Sequence, residues 1–162
     1  MTLIVNSDGL CEPRNPCGGN TAGWSVMKDG QEVMYEARYL MEGEGSTNNF
    51  AEYMAIIRAL AWVWKFELCG EEILFRTDSQ LVIRQLEGKW AVKAESIRPH
   101  YERACRGLAP LKNYRLEWVR REQNVRADEL SNIAYREHVQ KHGQACVARQ
   151  MRPRSGFTGG KP

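Results

Sequence analysis

Apolar residues along this chain follow two rhythms, short dense runs and a 3–4 spacing. Leu3-Ile4-Val5 marks residues 2–8 as a short buried strand. Residues 9–23 hold Gly9, Pro13, Pro16, Gly18, Gly19 and Gly23 and read as a turn-rich loop. Trp24-Ser25-Val26-Met27 and Glu32-Val33-Met34-Tyr35 then flank Lys28-Asp29-Gly30-Gln31, an Asp-Gly hairpin signal. After a loop at Gly43, Gly45 and Ser46, Thr47-Asn48 offers an N-cap, and the spacing predicts a helix over residues 49–66. Its inward stripe is Tyr53, Ile56, Ile57, Leu60 and Trp64, and Cys69-Gly70 closes the segment.

The second half repeats the two rhythms. Residues 72–77 read as a strand and 80–86 as a short helix. A basic connector around residues 88–94 carries Trp90. Residues 96–108 are predicted helical, beginning near Pro99. Residues 114–119 form a strand with Leu116 and Trp118 on one side, and Asn124 caps a last helix over about residues 125–141. The order β, β-hairpin, α, β, α, α, β, α predicts one α/β domain with a mixed sheet, over residues 1–142. Residues 143–162 read as a basic, Gly/Pro-containing, loosely held tail.

Composition adds bounds. The 162 residues are 43% hydrophobic and 27% charged, ordinary values for one globular domain. No signal peptide or transmembrane run is evident, and Arg58 interrupts the most apolar stretch, so a cytoplasmic protein without membrane contact is the expectation. Cys11, Cys17, Cys69, Cys105 and Cys146 form no CxxC pair. They read as free thiols, with a Cys69–Cys146 bridge as the alternative. The net charge of +3 is uneven: the tail has four bases and no acid, which leaves 19 bases against 20 acids elsewhere.

Four acids stand at element edges: Asp8 and Asp78 where strands end, Glu52 and Asp128 where helices begin. Each alone has an ordinary reading as a turn, cap or first-turn acid. In a parallel α/β sheet, however, strand ends and helix starts gather at one place. Acids gathered there repel one another and lose hydration, and divalent cations are the natural compensation. Bound dications would turn the body positive and suit it to a polyanion.

Four blocks carry a resemblance: Val5-Asn6-Ser7-Asp8-Gly9, Thr47-Asn48-Asn49-Phe50-Ala51-Glu52-Tyr53, Thr77-Asp78-Ser79-Gln80, and Trp118-Val119 leading to Asn124-Val125-Arg126-Ala127-Asp128. In this order and in these elements they resemble the type 1 ribonuclease H family over roughly residues 2–137. The resemblance implies a ribonuclease H-like fold, a five-stranded mixed sheet flanked by helices. It implies an endoribonuclease that hydrolyses the RNA strand of RNA/DNA hybrids by two-metal-ion catalysis, leaving 5′-phosphomonoesters. Asp8, Glu52, Asp78 and Asp128 would hold two Mg²⁺ ions, with Mn²⁺ as a substitute. Cys11, Asn48, Asn49 and Gln80 would line the hybrid's minor groove, where amides answer the 2′-hydroxyls. Asn15 and Thr47 would grip a DNA phosphate. The protein would work as a monomer with no obligatory protein partner. Two other readings stay open, a nuclease of this fold acting on double-stranded RNA or DNA structures, and a catalytically silent nucleic-acid-binding module.

Two departures from the family pattern carry expectations. The loop before Asp128 is Arg120-Arg121-Glu122-Gln123, without the His of many members, which predicts slower turnover or an altered pH profile. The long basic protrusion of some members is reduced to Glu87-Gly88-Lys89-Trp90-Ala91-Val92-Lys93. There Lys89 would meet phosphate and Trp90 would lie on a sugar or pack beneath the loop.

Overall fold

A computed structural model describes residues 2–144. The chain runs β1 (Thr2–Glu12), β2 (Cys17–Lys28), β3 (Gln31–Gly43), α1 (Asn48–Lys65), β4 (Glu72–Thr77), α2 (Gln80–Leu86), α3 (Arg98–Leu108), β5 (Asn113–Trp118) and α4 (Val125–His142). The five strands form one mixed sheet in the order β3-β2-β1-β4-β5. The first three are antiparallel neighbours, and β4 and β5 run parallel to β1. This is the five-stranded α/β fold expected from the resemblance.

The predicted loop over residues 9–23 is corrected. β1 continues to Glu12 and β2 starts at Cys17, which leaves a tip of four residues. The glycines that signalled a turn serve close packing instead. A Cβ on Gly9 would lie 2.2 Å from the backbone nitrogen of Glu52, and one on Gly23 would lie 2.4 Å from that of Ser131. So α1 presses on β1 at Gly9, and α4 presses on β2 at Gly23. Asp8 is opposite Gly23 across the β1–β2 ladder and its side chain reaches Ser131, whereas the next residue, Gly9, meets α1. The two helices therefore cover opposite faces of the sheet.

The Asp29-Gly30 turn forms as read, with φ of 50° and 78° at the two central residues, as a primed hairpin turn requires. Thr47 caps α1, its hydroxyl accepting from the Phe50 N–H at 3.1 Å. The stripe of α1 holds at Tyr53, Ile56, Ile57 and Leu60, joined by Ala59 and Val63. Trp64 departs from it and is 50% exposed, because its indole lies across α3 and donates to the Gly107 carbonyl at 3.0 Å. Arg58, the charge inside that apolar run, pairs with Glu36 of β3 at 2.5 Å. Glu67, at φ 57°, ends the helical path before Cys69-Gly70 is reached.

Two further expectations change. Trp118 is 42% exposed rather than inward, since its indole N–H bonds to the Asp78 carbonyl at the top of the sheet. Asn124 occupies the N-cap position of α4 but makes no capping bond. Its amide donates instead to the Ser7 carbonyl at 2.9 Å and ties the start of α4 to β1. Cys69 is a free thiol, and Cys146 and the tail beyond residue 144 lie outside the described residues. No helix among the described residues is long and apolar enough to cross a membrane.

Candidate metal centre and substrate groove

Register alone brings the first two acids together. β1 and β4 run parallel, and their last pair is Ser7 with Thr77. Asp8 and Asp78 are the next residue on each, so they stand side by side where β4 ends; Asp8 itself does not end a strand as expected, because β1 continues beside β2 to Glu12. Glu52 arrives from the first turns of α1, where contact with Gly9 brings its backbone against β1. One ligand oxygen from each of Asp8, Glu52 and Asp78 lies within 4.8 Å of the others. Among the described residues no other group of three or more acids, histidines or cysteines meets that distance.

Asp128 stands in the first turn of α4 and is handled differently. Its Oδ1 accepts from Arg121 Nη2 at 2.5 Å, so a guanidinium already answers its charge. Asp128 still acts on Asp8 through space, raising its pKa. Ser131, one turn later, donates to Asp8 Oδ2 at 2.5 Å and fixes that carboxylate against α4. The sequence pattern gave neither Ser131 nor Arg121 a place at the site. The Asp128-x-x-Ser131 spacing, one helical turn, was the available signal for the serine.

The electrostatics are those of an uncompensated acid cluster. Burial pushes the Asp8 carboxyl up to about 7; the Ser131 hydrogen bond opposes this, and repulsion from Asp78 and Asp128 adds to it. Glu52 is held well above the usual carboxylate range by burial, then by repulsion from Asp8 and Asp78. Hydrogen bonds from the Gly9 N–H and from Asn48 act against that rise. Glu52 Oε2 and Asp78 Oδ1 are buried without a hydrogen-bond partner among the described residues. Buried oxygens of this kind are rare unless something else satisfies them. The donors are all oxygen, which suits a hard dication such as Mg²⁺ or Mn²⁺ better than zinc.

A groove of about 410 Å³ opens over these acids, with Cys11, Asn48, Gln80 and Arg121 on its walls. Asn48 Nδ2 points at Glu52 Oε1 at 3.4 Å. Cys11 is buried, its thiol donating to the Arg14 carbonyl at 3.3 Å. Asn49 is exposed beside the groove at the start of α1. Asn15 Oδ1 accepts from the Asn48 N–H at 3.1 Å, and Thr47 caps the same helix end, so both are engaged in shaping the start of α1. Trp90 is 47% exposed, which excludes a ring packed under the connector, and Lys89 Nζ pairs with Glu87 at 2.8 Å. Arg126 is engaged by Glu32 and Glu129 and lies over the Tyr35 ring.

Comparison with known proteins adds to this geometry. Residues 6–134 match the model of the reverse transcriptase-like family. The chain is 30% identical over 135 residues to a bifunctional protein of Mycobacterium tuberculosis. It is 39% identical over 89 residues to the ribonuclease HI of Halobacterium salinarum. Those stretches are 83% and 55% of this chain and 35% and 44% of the relatives, so the matched part spans less than half of each. Among solved structures it is similar to RNase H1 of Halobacterium salinarum, with a TM-score of 0.75 and 32% identity, over 85% of this chain and 99% of that one. It is likewise similar to an RNase H1 isolated from compost and solved in complex with an RNA/DNA hybrid. That match has a TM-score of 0.77 and 30% identity over 85% and 99% of the two chains.

Proposed function

The chain belongs to the reverse transcriptase-like family and within it to the ribonuclease HI-like group, and from that membership we propose that it hydrolyses the RNA strand of RNA/DNA hybrids. One observation carries the reading. Three carboxylates, from within β1, the start of α1 and the end of β4, converge with two buried oxygens left unpartnered among the described residues, beneath a groove walled by amides. Such a cluster is costly to fold and is explained by a reaction that needs divalent ions.

Asp8, Glu52, Asp78 and Asp128 would hold two Mg²⁺ ions, with Mn²⁺ as a substitute. Dications held there would activate a water and neutralise charge on the phosphodiester. The protein's own groups supply the rest. Ser131 keeps Asp8 in one orientation through its hydrogen bond. Asn48 and Gln80, on the groove walls, and Asn49 beside it offer paired donors and acceptors that suit the 2′-hydroxyls of RNA. Cys11 adds a small wall that admits a backbone closely. Asn15 and Thr47 expose polar groups at the start of α1, where a phosphate of the DNA strand is favoured by the helix end. Lys89 and Trp90 give a smaller contact of the same kind, a charge for phosphate and an exposed ring for a sugar. Arg121, from the loop that lacks the His of many members, stands on the groove wall as a permanent cation. The working form is proposed to be a cytoplasmic monomer.

The test is cleavage of an end-labelled RNA/DNA hybrid with Mg²⁺, beside double-stranded RNA, double-stranded DNA and an Asp78→Asn variant. Internal cuts confined to the hybrid's RNA strand, reduced at least about 10²–10³-fold in the variant, are expected. Preferred cutting of either duplex, or equal activity in the variant, would overturn the reading.

A further inference from the structure

The connector after α2 leaves an aromatic ring in solvent on a backbone that is held on both sides of it. The Glu87 N–H donates to the Ile83 carbonyl and the Gly88 N–H to the Gln85 carbonyl, each at 2.9 Å. The Lys89 and Trp90 N–H groups both donate to the Arg84 carbonyl, at 2.8 and 3.1 Å. Beyond Trp90 the grip passes to side chains. Gln85 Nε2 donates to the Ala91 carbonyl at 3.3 Å, and Arg98 Nη2 donates to the Val92 carbonyl at 3.0 Å. The Val92 side chain packs against the core. Trp90, between these anchors, is 47% exposed. An indole kept out of the core on an ordered backbone is a preformed platform, with little conformational freedom left to lose on contact.

Gln85 is the member of this arrangement that reaches back to the site. Its side chain is buried, and the fully buried Tyr53 of α1 donates from its hydroxyl to Gln85 Oε1 at 2.8 Å. Chemistry fixes the direction of this chain. A backbone carbonyl only accepts, so the amide turns its NH₂ to Ala91 and its oxygen to the phenol, which then donates. Tyr53 follows Glu52 in α1, and Gln85 lies in the helix that Gln80 begins on the groove wall. The chain from Tyr53 through Gln85 to Ala91 therefore joins the connector to two elements that shape the groove. We propose that Gln85 is a positioning residue: by bridging Tyr53 to the Ala91 carbonyl it sets where Trp90 stands relative to the groove, and Trp90 so held meets a sugar of the DNA strand. The inference rests on the reading of the groove as a hybrid site. Gln85 itself touches no substrate and acts through Trp90.

The test has two arms, both on the full chain. Without substrate, amide hydrogen exchange followed by NMR reads the bridge alone. In Gln85→Met, a swap of similar size that removes both hydrogen bonds, the Lys89 and Trp90 N–H groups should exchange at least about tenfold faster while those of β4 keep their rates. With an RNA/DNA hybrid and Mg²⁺, the same variant should raise KM about two- to tenfold, the range of one hydrogen bond, and hold kcat. Trp90→Ala should also raise KM, and adding Gln85→Met to it should raise KM no further, since nothing is left to position. Tyr53→Phe frees the amide to turn but keeps its donor, so it should give the same pattern in weaker form, and it replaces Gln85→Met if that variant does not fold. Unchanged exchange, or KM effects of Gln85→Met and Trp90→Ala that multiply while the hybrid is cut normally, overturns the proposal alone. A wild type that cuts no hybrid, with the exchange difference present, instead fails the reading of the groove and takes the role for substrate with it.

Discussion

Replacing Asp8 by Asn should stabilise the metal-free protein, and should do so only above about pH 4. Asn has nearly the same shape and keeps an oxygen for Ser131, whose hydroxyl lies 2.5 Å from Asp8 Oδ2. Burial is the largest cause of the carboxyl's rise from 3.8 to about 7. A group whose pKa is raised on folding confers stability that is complete below its unfolded value and lost as pH climbs through its folded value. Below about pH 4 both chains are therefore neutral at this position and equally stable. Between pH 4 and 7 the wild type should lose ground at up to about 1.4 kcal/mol per pH unit, and above 7 the gap should level off. Three units set a ceiling of about 4 kcal/mol, and local relaxation and water entry bring the expectation to about 2–4 kcal/mol. At about 3 °C per kcal/mol for a chain of this size, that is about 6–12 °C in Tm. The assay is thermal melting by circular dichroism in EDTA, from pH 4 to 8. Added Mg²⁺ should then raise the wild-type Tm and leave the variant almost unmoved. A Tm difference that stays flat across this range, or a variant that is less stable at pH 8, would refute the account of Asp8 as a buried, repelled acid.

Three other outcomes follow from the same geometry. Gly23→Ala should destabilise the fold by about 1–3 kcal/mol or more in urea unfolding, because its Cβ would sit 2.4 Å from the Ser131 nitrogen and 2.5 Å from the Ala127 carbonyl oxygen; an unchanged midpoint would contradict the close approach of α4. Arg121→Gln should shift stability by less than about 1 kcal/mol, since its pair with Asp128 is largely exposed. The same variant should raise KM for a hybrid and lower the salt slope by about one phosphate, and unaltered kinetics would remove Arg121 from the groove's work. Truncation after Gln144 removes Arg149, Arg152, Arg154 and Lys161. KM should rise and its salt dependence should flatten; no change in either would mean the tail is a bystander.

Elements were legible wherever the apolar pattern was local. The hairpin at Asp29-Gly30, α1 and β4 all follow from neighbours within one turn or one strand. What failed to read was set at long range. Gly9 and Gly23 look like turn residues because their reason for being glycine lies about 43 and 108 positions away, in Glu52 and Ser131. Trp64 and Trp118 kept the spacing of inward residues and yet lie at the margins of α1 and β5, each with its indole N–H on a backbone carbonyl. Asn124 has the chemistry of a cap, but a buried carbonyl of β1 claims its amide. At the site the four acids could be named from strand ends and helix starts, whereas the partners that distinguish them could not. Ser131 on Asp8 and Arg121 on Asp128 depend on which way α4 is turned.

That difference among the acids bears on where ions are needed. Asp128 is solvated and answered by a guanidinium, so its charge is balanced before any ligand arrives. Glu52 is buried with one oxygen unpartnered, and its pKa is raised by burial and by its neighbours. Asp78 likewise keeps a buried oxygen without a partner. Asp8 has a hydroxyl but, among the described residues, no positive neighbour in contact, and Arg121, engaged on Asp128, relieves it only at a distance. The uncompensated charge is thus concentrated on the pair where β4 ends beside β1 and on the helix acid next to them. A divalent ion gains most there, and the same three residues are where its removal should be felt first in stability. Arg121 sets a second condition. Asp128 can serve a metal fully only when the guanidinium gives up part of its bond, and a phosphate entering the groove is the group that could take that bond in exchange. Ion binding at the first three acids should therefore precede substrate, and full engagement of Asp128 should follow it. Mg²⁺ titrations of Asp128→Asn read this order directly. The affinity of the substrate-free protein for its first ion should match wild type, while hybrid cleavage falls; a first-ion affinity that drops in the variant would place Asp128 with the other three from the start.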